Sequence, residues 1–360
     1  MMKRKLILED GSVYIGEAFG SADEKYLELV FNTSMVGYQE IISDPSYTDQ
    51  AVVLTYPVIG NYGINAEDYE TICPSIGALI VKEYVDEPSN FRCERTLSDC
   101  MKEFHIAGIS DIDTRTLTRK IREIGSCKVL LTGEETSDAE GLQKLRAWNY
   151  ATDQVARVST KEFREFAPEG EANGLHVVII DCGMKLNIVR SLCKLGCKVT
   201  AVPYNTSAEA IKALAPNGIM ISNGPGNPED VKETIETVRA LHGVYPIFGI
   251  CLGHQIIALS YGAKTYKLKF GHRGGNHPVK NLLTDKLEIT SQNHSYAVNQ
   301  ESAAAAGLEI THLNLLDNTV EGQRFTKDRI FSVQYHPESA PGPQDSQYLF
   351  DDFLKLMKED

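Results

Sequence analysis

The sequence has no excess of basic residues and no hydrophobic run long enough to cross a membrane. Its 36 Lys and Arg residues are outnumbered by 49 Asp and Glu, and the formal net charge is −13. This balance argues against a broad phosphate-binding surface, and so against a nucleic-acid partner. Only three apolar residues, 6–8, separate the basic start from Glu9, which is too short for a signal-peptide core. We therefore expect a cytoplasmic protein without a membrane segment.

The eight cysteines include no C-x-x-C pair, and the two closest, Cys193 and Cys197, have Gly196 between them at a predicted helix end. The pattern gives no indication of a structural zinc site, and we expect reduced thiols because the chain is neither small nor disulfide-dense. A G-x-x-x-x-G-K-[ST] loop for nucleotide phosphates is also missing. We expect no metal and no cofactor in this chain.

The 360 residues are enough for two domains of an α/β protein. Residues 1–150 mix short strands with two or three helices, which predicts a smaller α+β N-terminal domain. Residues 151–173 lose apolar periodicity and are rich in charge, which predicts a linker. Strands and helices alternate in 174–360 and predict a mostly parallel open sheet with helices on both of its faces.

Local signals add detail to the first domain. Asp113 and Ser137 each precede an apolar helical pattern and are predicted N-caps. Residues 77–84 form one apolar run, which predicts a single strand. The stretch 31–50 is dense in small polar residues, and its composition favours an ordinary surface loop over a functional one.

The second domain contains a candidate nucleophile, Cys251. An apolar strand at 246–250 runs into this residue, and a helical pattern follows it without a breaker. Gly249 and Gly253 complete a G-x-C-x-G pattern, the cysteine counterpart of the G-x-S-x-G turn that exposes a nucleophile above a sheet. A helix N-terminus beside the thiol favours the thiolate. The alternative is a small buried hydrophobic residue, and partners elsewhere in the chain decide between the two.

Those partners follow a later strand. His336 and Glu338 come just after the predicted strand 330–333, and with one residue between them their side chains point the same way in an extended chain. A carboxylate can then hold one imidazole nitrogen while the other nitrogen faces a thiol. Cys251, His336 and Glu338 have the residue types of a nucleophile, a base and an orienting acid.

Two further motifs are less specific. Residues 222–226, SNGPG, can present backbone N–H groups to an oxyanion, although the motif taken alone favours a plain strand-to-helix turn. Three histidines, His272, His277 and His294, have no neighbouring carboxylate or thiol at a metal-binding spacing. We expect them to be polar loop residues that line a pocket, with His294 facing the substrate.

Together these motifs resemble a known family. The segments PIFGICLGHQ, SNGPGNP and QYHPE are similar to those of class I (triad) glutamine amidotransferases, in which a cysteine hydrolyses the glutamine side-chain amide. LEDGSVYIGEAFG, FNTSMVGYQEIISDPSY, LTYPVIGNYGIN and SDIDTRTLTRKIRE resemble the small-subunit family of carbamoyl phosphate synthetases, as do KFGHRGGNHPVKN and PESAPGPQD. The resemblance covers nearly the whole chain.

The resemblance implies a role for each matching residue. It makes Cys251 the nucleophile, His336 the acid and base, and Glu338 the partner of His336. The remaining residues are implied to hold the glutamine or its oxyanion: Ser46, Gly224, Gly226, Leu252, Gln255, Asn293, Ser295 and Tyr296. Family members often have glycine at position 295, where contact with glutamine would be through the backbone.

The resemblance also implies a partner. A separate large subunit would receive the ammonia through an internal tunnel and use bicarbonate, ATP and Mg to make carbamoyl phosphate, for pyrimidine or arginine synthesis. It would dock largely on residues 1–150. Two other functions remain open at this stage: a stand-alone γ-glutamyl cysteine hydrolase on the same fold, and a regulatory or scaffolding subunit without hydrolytic activity.

Overall fold

The computed structural model of the chain describes residues 2–359. It separates into two compact units, with the division between Ala151 and Thr152. Each unit has its own sheet and its own apolar core. The mixed α/β class expected from the sequence is confirmed.

Seven strands of the first unit close into a barrel, in the order β1-β2-β8-β6-β4-β3-β9. The barrel strands are Lys3–Leu8 (β1), Val13–Gly20 (β2), Lys25–Asn32 (β3), Gln50–Leu54 (β4), Ala78–Ile80 (β6), Ala107–Ser110 (β8) and Cys127–Gly133 (β9). Two short strands, Val58–Ile59 (β5) and Glu83–Tyr84 (β7), pair separately. Full closure removes the exposed strand edges that an open sheet would leave. The α+β composition did not predict this closure.

The helices of the first unit are Tyr38–Ser43 (α1), Leu97–Glu103 (α2), Thr114–Ile124 (α3) and Asp138–Ala147 (α4). Both predicted N-caps are confirmed. The side chain of Asp113 accepts a hydrogen bond from the Thr116 N–H at the start of α3. The Ser137 hydroxyl accepts one from the Glu140 N–H at the start of α4.

Two predictions for the first unit are wrong. The single strand expected at 77–84 is two strands, β6 and β7, that belong to different sheets. The stretch 31–50 is not an ordinary surface loop, because it folds into α1 and a 3₁₀ turn at Pro45–Tyr47 whose side chains are mostly buried. Tyr47 and Ile42 are fully enclosed there. Small polar residues in this stretch therefore reflect tight turns and not solvent exposure.

The second unit is built on one ten-stranded sheet, in the order β10-β12-β11-β13-β14-β19-β18-β17-β15-β16. Its strands are Arg164–Phe166 (β10), His176–Asp181 (β11), Lys198–Pro203 (β12), Gly218–Ile221 (β13), Ile247–Ile250 (β14), Thr265–Asn281 (β15), Leu287–Val298 (β16), Glu309–Asn314 (β17), Val320–Phe325 (β18) and Ile330–Val333 (β19). Its helices are Gln154–Val158 (α5), Leu186–Lys194 (α6), Ala208–Ala213 (α7), Lys232–Leu241 (α8), Leu252–Ser260 (α9), Gln300–Ala305 (α10) and Tyr348–Lys358 (α11).

The sheet is mixed, so the prediction of a mostly parallel sheet holds only for its centre. Strands β12, β11, β13, β14 and β19 are parallel neighbours. The remaining pairings, which involve β10 and the run β18-β17-β15-β16, are antiparallel. Two long hairpins account for the difference, because β15 and β16 are connected by a short turn and need no crossover helix.

Helices cover both faces of the parallel centre. Along β11, Val177 and Ile179 lie in a core with residues of α6 and α11, whereas Val178 and Ile180 lie in a second core with residues of α7, α8 and α9. A strand that buries alternate residues in two different cores has an apolar layer on each face. The carboxyl ends of these strands are then the available place for a site.

The predicted linker, residues 151–173, is partly regular structure. It contains α5 and the edge strand β10, which pairs antiparallel with β12. Ordered structure of the second unit therefore begins well before residue 174. The charge that suggested a linker belongs to exposed positions of this edge, such as Arg164 and Glu165.

Candidate active site

Cys251 occupies a sharp turn between β14 and α9. It is the single residue between Ile250 and Leu252, and its backbone has φ 53 and ψ −101. The neighbouring glycines make this turn possible. A Cβ at Gly253 would lie 2.2 Å from the carbonyl oxygen of Ile221, on the adjacent strand. The helix can begin this close to the sheet because that Cβ is absent.

Cys251, at the carboxyl end of β14, contacts two further strands. Its backbone N–H donates to the Val333 carbonyl of β19 at 2.9 Å. The thiol lies 3.6 Å from the Asn293 carbonyl of β16 and can donate to it. The residue is only 2% exposed. Cys251 stands immediately before α9, so its side chain lies at the N-terminus of that helix.

His336 connects the thiol to a carboxylate. Its Nδ1 lies 2.6 Å from Oε1 of Glu338. Its buried Nε2 makes no hydrogen bond of ordinary geometry within residues 2–359. Burial lowers the pKa of His336, but the charge of Glu338 and the neighbouring Cys251 thiol outweigh burial and raise that pKa to about 10. The imidazole of His336 can therefore hold a proton.

Lys185 completes this row of side chains, and the sequence analysis missed it. Its Nζ lies 3.1 Å from Oε1 of Glu338, and the two side chains are 3% and 0% exposed. Nζ also donates to the Ser339 carbonyl, and the Asn187 side-chain amide donates to the Glu338 carbonyl. Burial raises the pKa of Glu338, but Lys185 and then His336 lower it more strongly, to about 2. Glu338 therefore stays ionised.

A signal for Lys185 was present in the sequence. The residue ends the short turn between β11, which finishes at Asp181, and α6. The carboxyl ends of neighbouring parallel strands meet at one edge of a sheet, as they do for Cys251 and His336. A buried lysine needs a carboxylate partner. In the sequence, Lys185 is interpreted only as the first residue of a helix.

The two predicted oxyanion donors lie side by side. A Cβ at Gly224 would lie 2.8 Å from Cδ2 of Leu252 and 2.1 Å from the carbonyl oxygen of Cys182. Leu252 is the first residue of α9, where the N–H has no acceptor inside its own helix. The Asn223 side chain accepts from the Lys185 N–H at 3.0 Å and so fixes the SNGPG loop.

Substituting Gly224 by alanine tests the loop. We expect the new Cβ to displace the loop from the Cys182 carbonyl and to lower kcat for glutamine hydrolysis by about 10²–10³-fold, the cost of one lost oxyanion donor. Gly262→Ala is the control for backbone strain without a steric contact, because Gly262 has φ +86 but no atom within 4 Å of its would-be Cβ. Equal losses of kcat in the two variants would contradict the oxyanion role.

Some of the predicted glutamine-pocket residues are connected by hydrogen bonds near Cys251. Gln255 Nε2 donates to the Tyr296 carbonyl at 2.8 Å and to Oε1 of Gln334 at 2.9 Å. The Ser295 hydroxyl accepts from the buried guanidinium of Arg273, which the sequence analysis did not single out. Arg273 therefore gives Ser295 a partner at the position where family members often have glycine.

Two predicted pocket residues, Gly226 and Ser46, precede Cys251 in the chain. Gly226 has φ +88, and its would-be Cβ lies 3.1 Å from Oε1 of Gln154. Ser46 belongs to the first unit, in the buried turn Pro45–Tyr47, and its N–H donates to the Asp44 side chain at 2.9 Å. The roles of both residues towards glutamine stay predictions.

The three histidines do not lie in loops. His272 and His277 belong to β15 and His294 to β16, because a long β-hairpin replaces the expected loops. His294 is buried, and its Nδ1 and Nε2 lie 2.7 Å from the Tyr296 carbonyl and 3.1 Å from Oε1 of Gln292. Two carboxylates, Asp317 and Glu321, approach His272 from far along the chain.

Comparison with known proteins first gives the class of the second unit and then the family of the chain. Residues 178–356 match the family model described as glutamine amidotransferase class-I. Residues 6–131 match the model described as carbamoyl-phosphate synthase small chain, CPSase domain. The site is thus that of a glutamine amidotransferase, a glutamine-hydrolysing enzyme. The chain belongs to the carbamoyl phosphate synthase small chain family.

Relatives with that name are similar to the chain over nearly its full length. The small chain of Oceanobacillus iheyensis is 54% identical over 358 residues, which are 99% of this chain and 97% of the relative. That of Bacillus caldolyticus is also 54% identical, with the same coverage. That of Fusobacterium nucleatum is 52% identical over 355 residues, 99% of this chain and 98% of the relative. Within residues 2–359, no helix combines the length and apolar character needed to cross a bilayer.

Proposed function

We propose that Cys251 hydrolyses glutamine through a γ-glutamyl thioester and that the released ammonia is supplied to a large synthetase subunit. The observation that carries this proposal is the buried row Lys185, Glu338, His336 and Cys251 beside the N-terminus of α9. This arrangement supplies a nucleophile, a proton carrier and a fixed negative charge that keeps the carrier oriented.

In the first half of the reaction the Cys251 sulfur adds to the amide carbon of glutamine. The N–H groups of Gly224 and Leu252 are placed to stabilise the developing oxyanion. His336, whose pKa is raised to about 10, carries the proton that the departing amine needs. The C–N bond breaks, ammonia leaves, and the acyl group stays on sulfur.

In the second half His336 acts as a base. Having given up its proton, the imidazole takes one from water, which attacks the thioester carbon. The C–S bond breaks, glutamate leaves, and the sulfur returns as the thiolate beside the imidazolium. Glu338 stays ionised throughout, since Lys185 and His336 hold its pKa near about 2.

The substrate pocket is proposed from the resemblance together with these contacts. Asn293 and Tyr296 are tied to the thiol and to Gln255, respectively. Ser295 is held by Arg273. We propose that these residues, with Gly226, bind the α-amino and α-carboxylate groups of glutamine.

The ammonia acceptor is proposed to be a separate large subunit that uses bicarbonate, ATP and Mg. Two observations support a separate chain: the relatives are named small chains, and this sequence has no G-x-x-x-x-G-K-[ST] loop. All eight cysteines lie in the described part of the chain and are free thiols. Free thiols are typical of a reducing compartment, and we propose a cytoplasmic location.

The first unit is proposed to carry the docking surface for the large subunit. We expect the full chain to co-elute with that subunit in size-exclusion chromatography, and a chain of residues 152–360 to elute alone. The reason is that the second unit holds the row of catalytic side chains, which leaves the barrel unit without chemistry of its own. A cooperative thermal unfolding transition of the shortened chain is the control for its folding. Co-elution of a folded 152–360 chain with undiminished stoichiometry would contradict the proposal.

The rival functions are less well supported. A stand-alone γ-glutamyl hydrolase would need only the second unit, whereas the match of residues 6–131 to the small-chain model covers most of the first. A scaffolding subunit would not require the buried ion pair between Lys185 and Glu338, which is costly to desolvate. Labelling of Cys251 by an electrophilic glutamine analogue would exclude an inert scaffold.

A further inference from the structure

A buried group of histidines and carboxylates lies apart from the row of catalytic side chains. We call His272, His294, Glu321 and Asp317 the histidine–carboxylate cluster. His272, His294 and Glu321 are each buried, and one ligand atom from each lies within 4.8 Å of the other two. They come from β15, β16 and β18. The sequence analysis saw no carboxylate near these histidines because Asp317 and Glu321 are distant in the sequence.

Hydrogen bonds hold each ring in place. His272 Nε2 lies 2.9 Å from the Asp317 carboxylate, so Nε2–H is the donor, and Nδ1 faces Glu321 and the Asn314 amide. His294 Nδ1 lies 2.7 Å from the Tyr296 carbonyl and Nε2 lies 3.1 Å from Oε1 of Gln292, so a zinc ion would take the place of Gln292 at Nε2. A carboxylate or a carbonyl on the far nitrogen is the usual support of a metal-bound histidine.

Glu321 supplies the negative charge that a cation needs. Its Oε2 is buried and has no hydrogen-bond partner within the described residues, which is costly for a carboxylate oxygen. Its Oε1 accepts from the Asn314 amide at 3.0 Å. The distance from Oε1 to His272 Nδ1 is 3.6 Å, too long for a good hydrogen bond. Two ligands of one tetrahedral zinc ion lie about 3.4 Å apart, which matches this spacing.

We propose that His272, His294 and Glu321 bind one Zn²⁺ ion, with Asp317 supporting His272 from behind. Two imidazoles and a carboxylate are ligands that zinc accepts, and they leave a fourth position for water. The ion would join three strands at one point. His294 lies between Asn293 and Ser295, so the ion would also hold the backbone of the proposed glutamine pocket in register.

A proton can compete with the metal at this place. Burial lowers the pKa of His272, but Asp317 and Glu321 raise it to about 9. A protonated His272 would neutralise part of the negative charge of Asp317 and Glu321, which the zinc ion would otherwise neutralise. Zinc must displace that proton to bind, so a proton on His272 is the alternative occupant of the histidine–carboxylate cluster.

The test uses the full chain in a Cys251→Ser background, so that zinc cannot bind at the catalytic thiol. After treatment with a chelator, the protein is titrated with ZnCl₂ by calorimetry and its melting temperature is measured with and without zinc. We expect one site per chain and a higher melting temperature with zinc. Glu321→Gln and His272→Asn are expected to weaken binding by at least about 100-fold, since even supporting residues are worth 10–100-fold.

His312→Asn is the matched control, because His312 is a buried histidine of neighbouring β17 whose Nε2 is also unpartnered but which is outside the cluster. It should keep full zinc affinity. Substitution with Co²⁺ should give a visible spectrum of nitrogen and oxygen ligands that Glu321→Gln removes. Absence of a one-to-one site, or equal affinities in Glu321→Gln and His312→Asn, would overturn the proposal and leave a protonated His272 as the occupant.

Discussion

Replacing Cys251 by serine is expected to reduce glutamine hydrolysis by at least about 10⁴-fold, the range seen when a covalent nucleophile is removed. The physical reason is the state of His336. Burial opposes its charge, but Glu338 and the thiol raise its pKa to about 10, which suits a resting imidazolium. A serine hydroxyl is far less acidic and would need a neutral imidazole as its base.

The measurement is glutamate release by the complex with the large subunit, together with ammonia-dependent carbamoyl phosphate synthesis. The first activity should be lost and the second kept, because the substitution changes one atom inside the second unit. Cys197→Ser is the matched control, since Cys197 is a buried free thiol that lies outside the site. Glutamine hydrolysis by Cys251→Ser at the rate of the unchanged chain would refute the assignment.

Replacing Lys185 by methionine is expected to lower both stability and catalysis. Breaking a buried ion pair leaves Glu338 with an uncompensated charge, which typically costs about 3–5 kcal/mol of unfolding free energy. We also expect kcat to fall by about 10²-fold, because a carboxylate that becomes protonated no longer orients His336. Urea unfolding and steady-state kinetics measure the two effects.

The pH dependence separates orientation from simple destabilisation. With Lys185 present, the pKa of Glu338 lies at about 2, below the usual 4.5 of a glutamate side chain. A depressed carboxyl pKa stabilises the fold above pH 4.5, and this contribution is lost as the pH falls towards 2. Without Lys185 the folded-state pKa rises, so the acid limb of kcat against pH should move to higher pH.

Lys198→Met is the control for removing a lysine from an ion pair. Lys198 and Glu165 are 2.8 Å apart but 47% and 64% exposed, and such surface pairs contribute less than about 1 kcal/mol. This variant should keep its kcat and its acid limb. An unshifted acid limb in Lys185→Met, with activity lost, would mean that Lys185 acts on the substrate and not through Glu338.

The sequence predicted the parts of the site that follow strand ends. Cys251, His336 and Glu338 each come directly after an apolar run, and the rule that such ends converge was enough to group them. Lys185 obeys the same rule but follows a turn, DCGMK, that has no recognisable nucleophile pattern. The partner of Lys185 is Glu338, which is far from it in the sequence, so the residues next to Lys185 in the chain do not reveal its role.

The remaining differences have the same origin. Barrel closure in the first unit depends on pairing between β1 and β9, more than 100 residues apart along the chain. The antiparallel half of the ten-stranded sheet depends on hairpin registers that alternating hydrophobicity does not encode. The histidine–carboxylate cluster needs contacts across 45 residues, from His272 to Asp317. The hydrophobic periodicity of a sequence indicates which residues are buried. It does not indicate which strands pair with each other, and barrel closure, the antiparallel strands and the histidine–carboxylate cluster all depend on that pairing.

The backbone at Cys251 has a consequence for how this chain can change. With φ 53 and ψ −101, a side chain there costs about 1–3 kcal/mol, and glycine would avoid that cost. Selection for thermal stability alone would therefore favour glycine at the one position where hydrolysis requires a thiol. The single substitution Cys251→Gly would then yield a more stable protein that keeps the barrel of the first unit but cannot hydrolyse glutamine. The reactive residue persists only because selection for activity opposes selection for stability at this position.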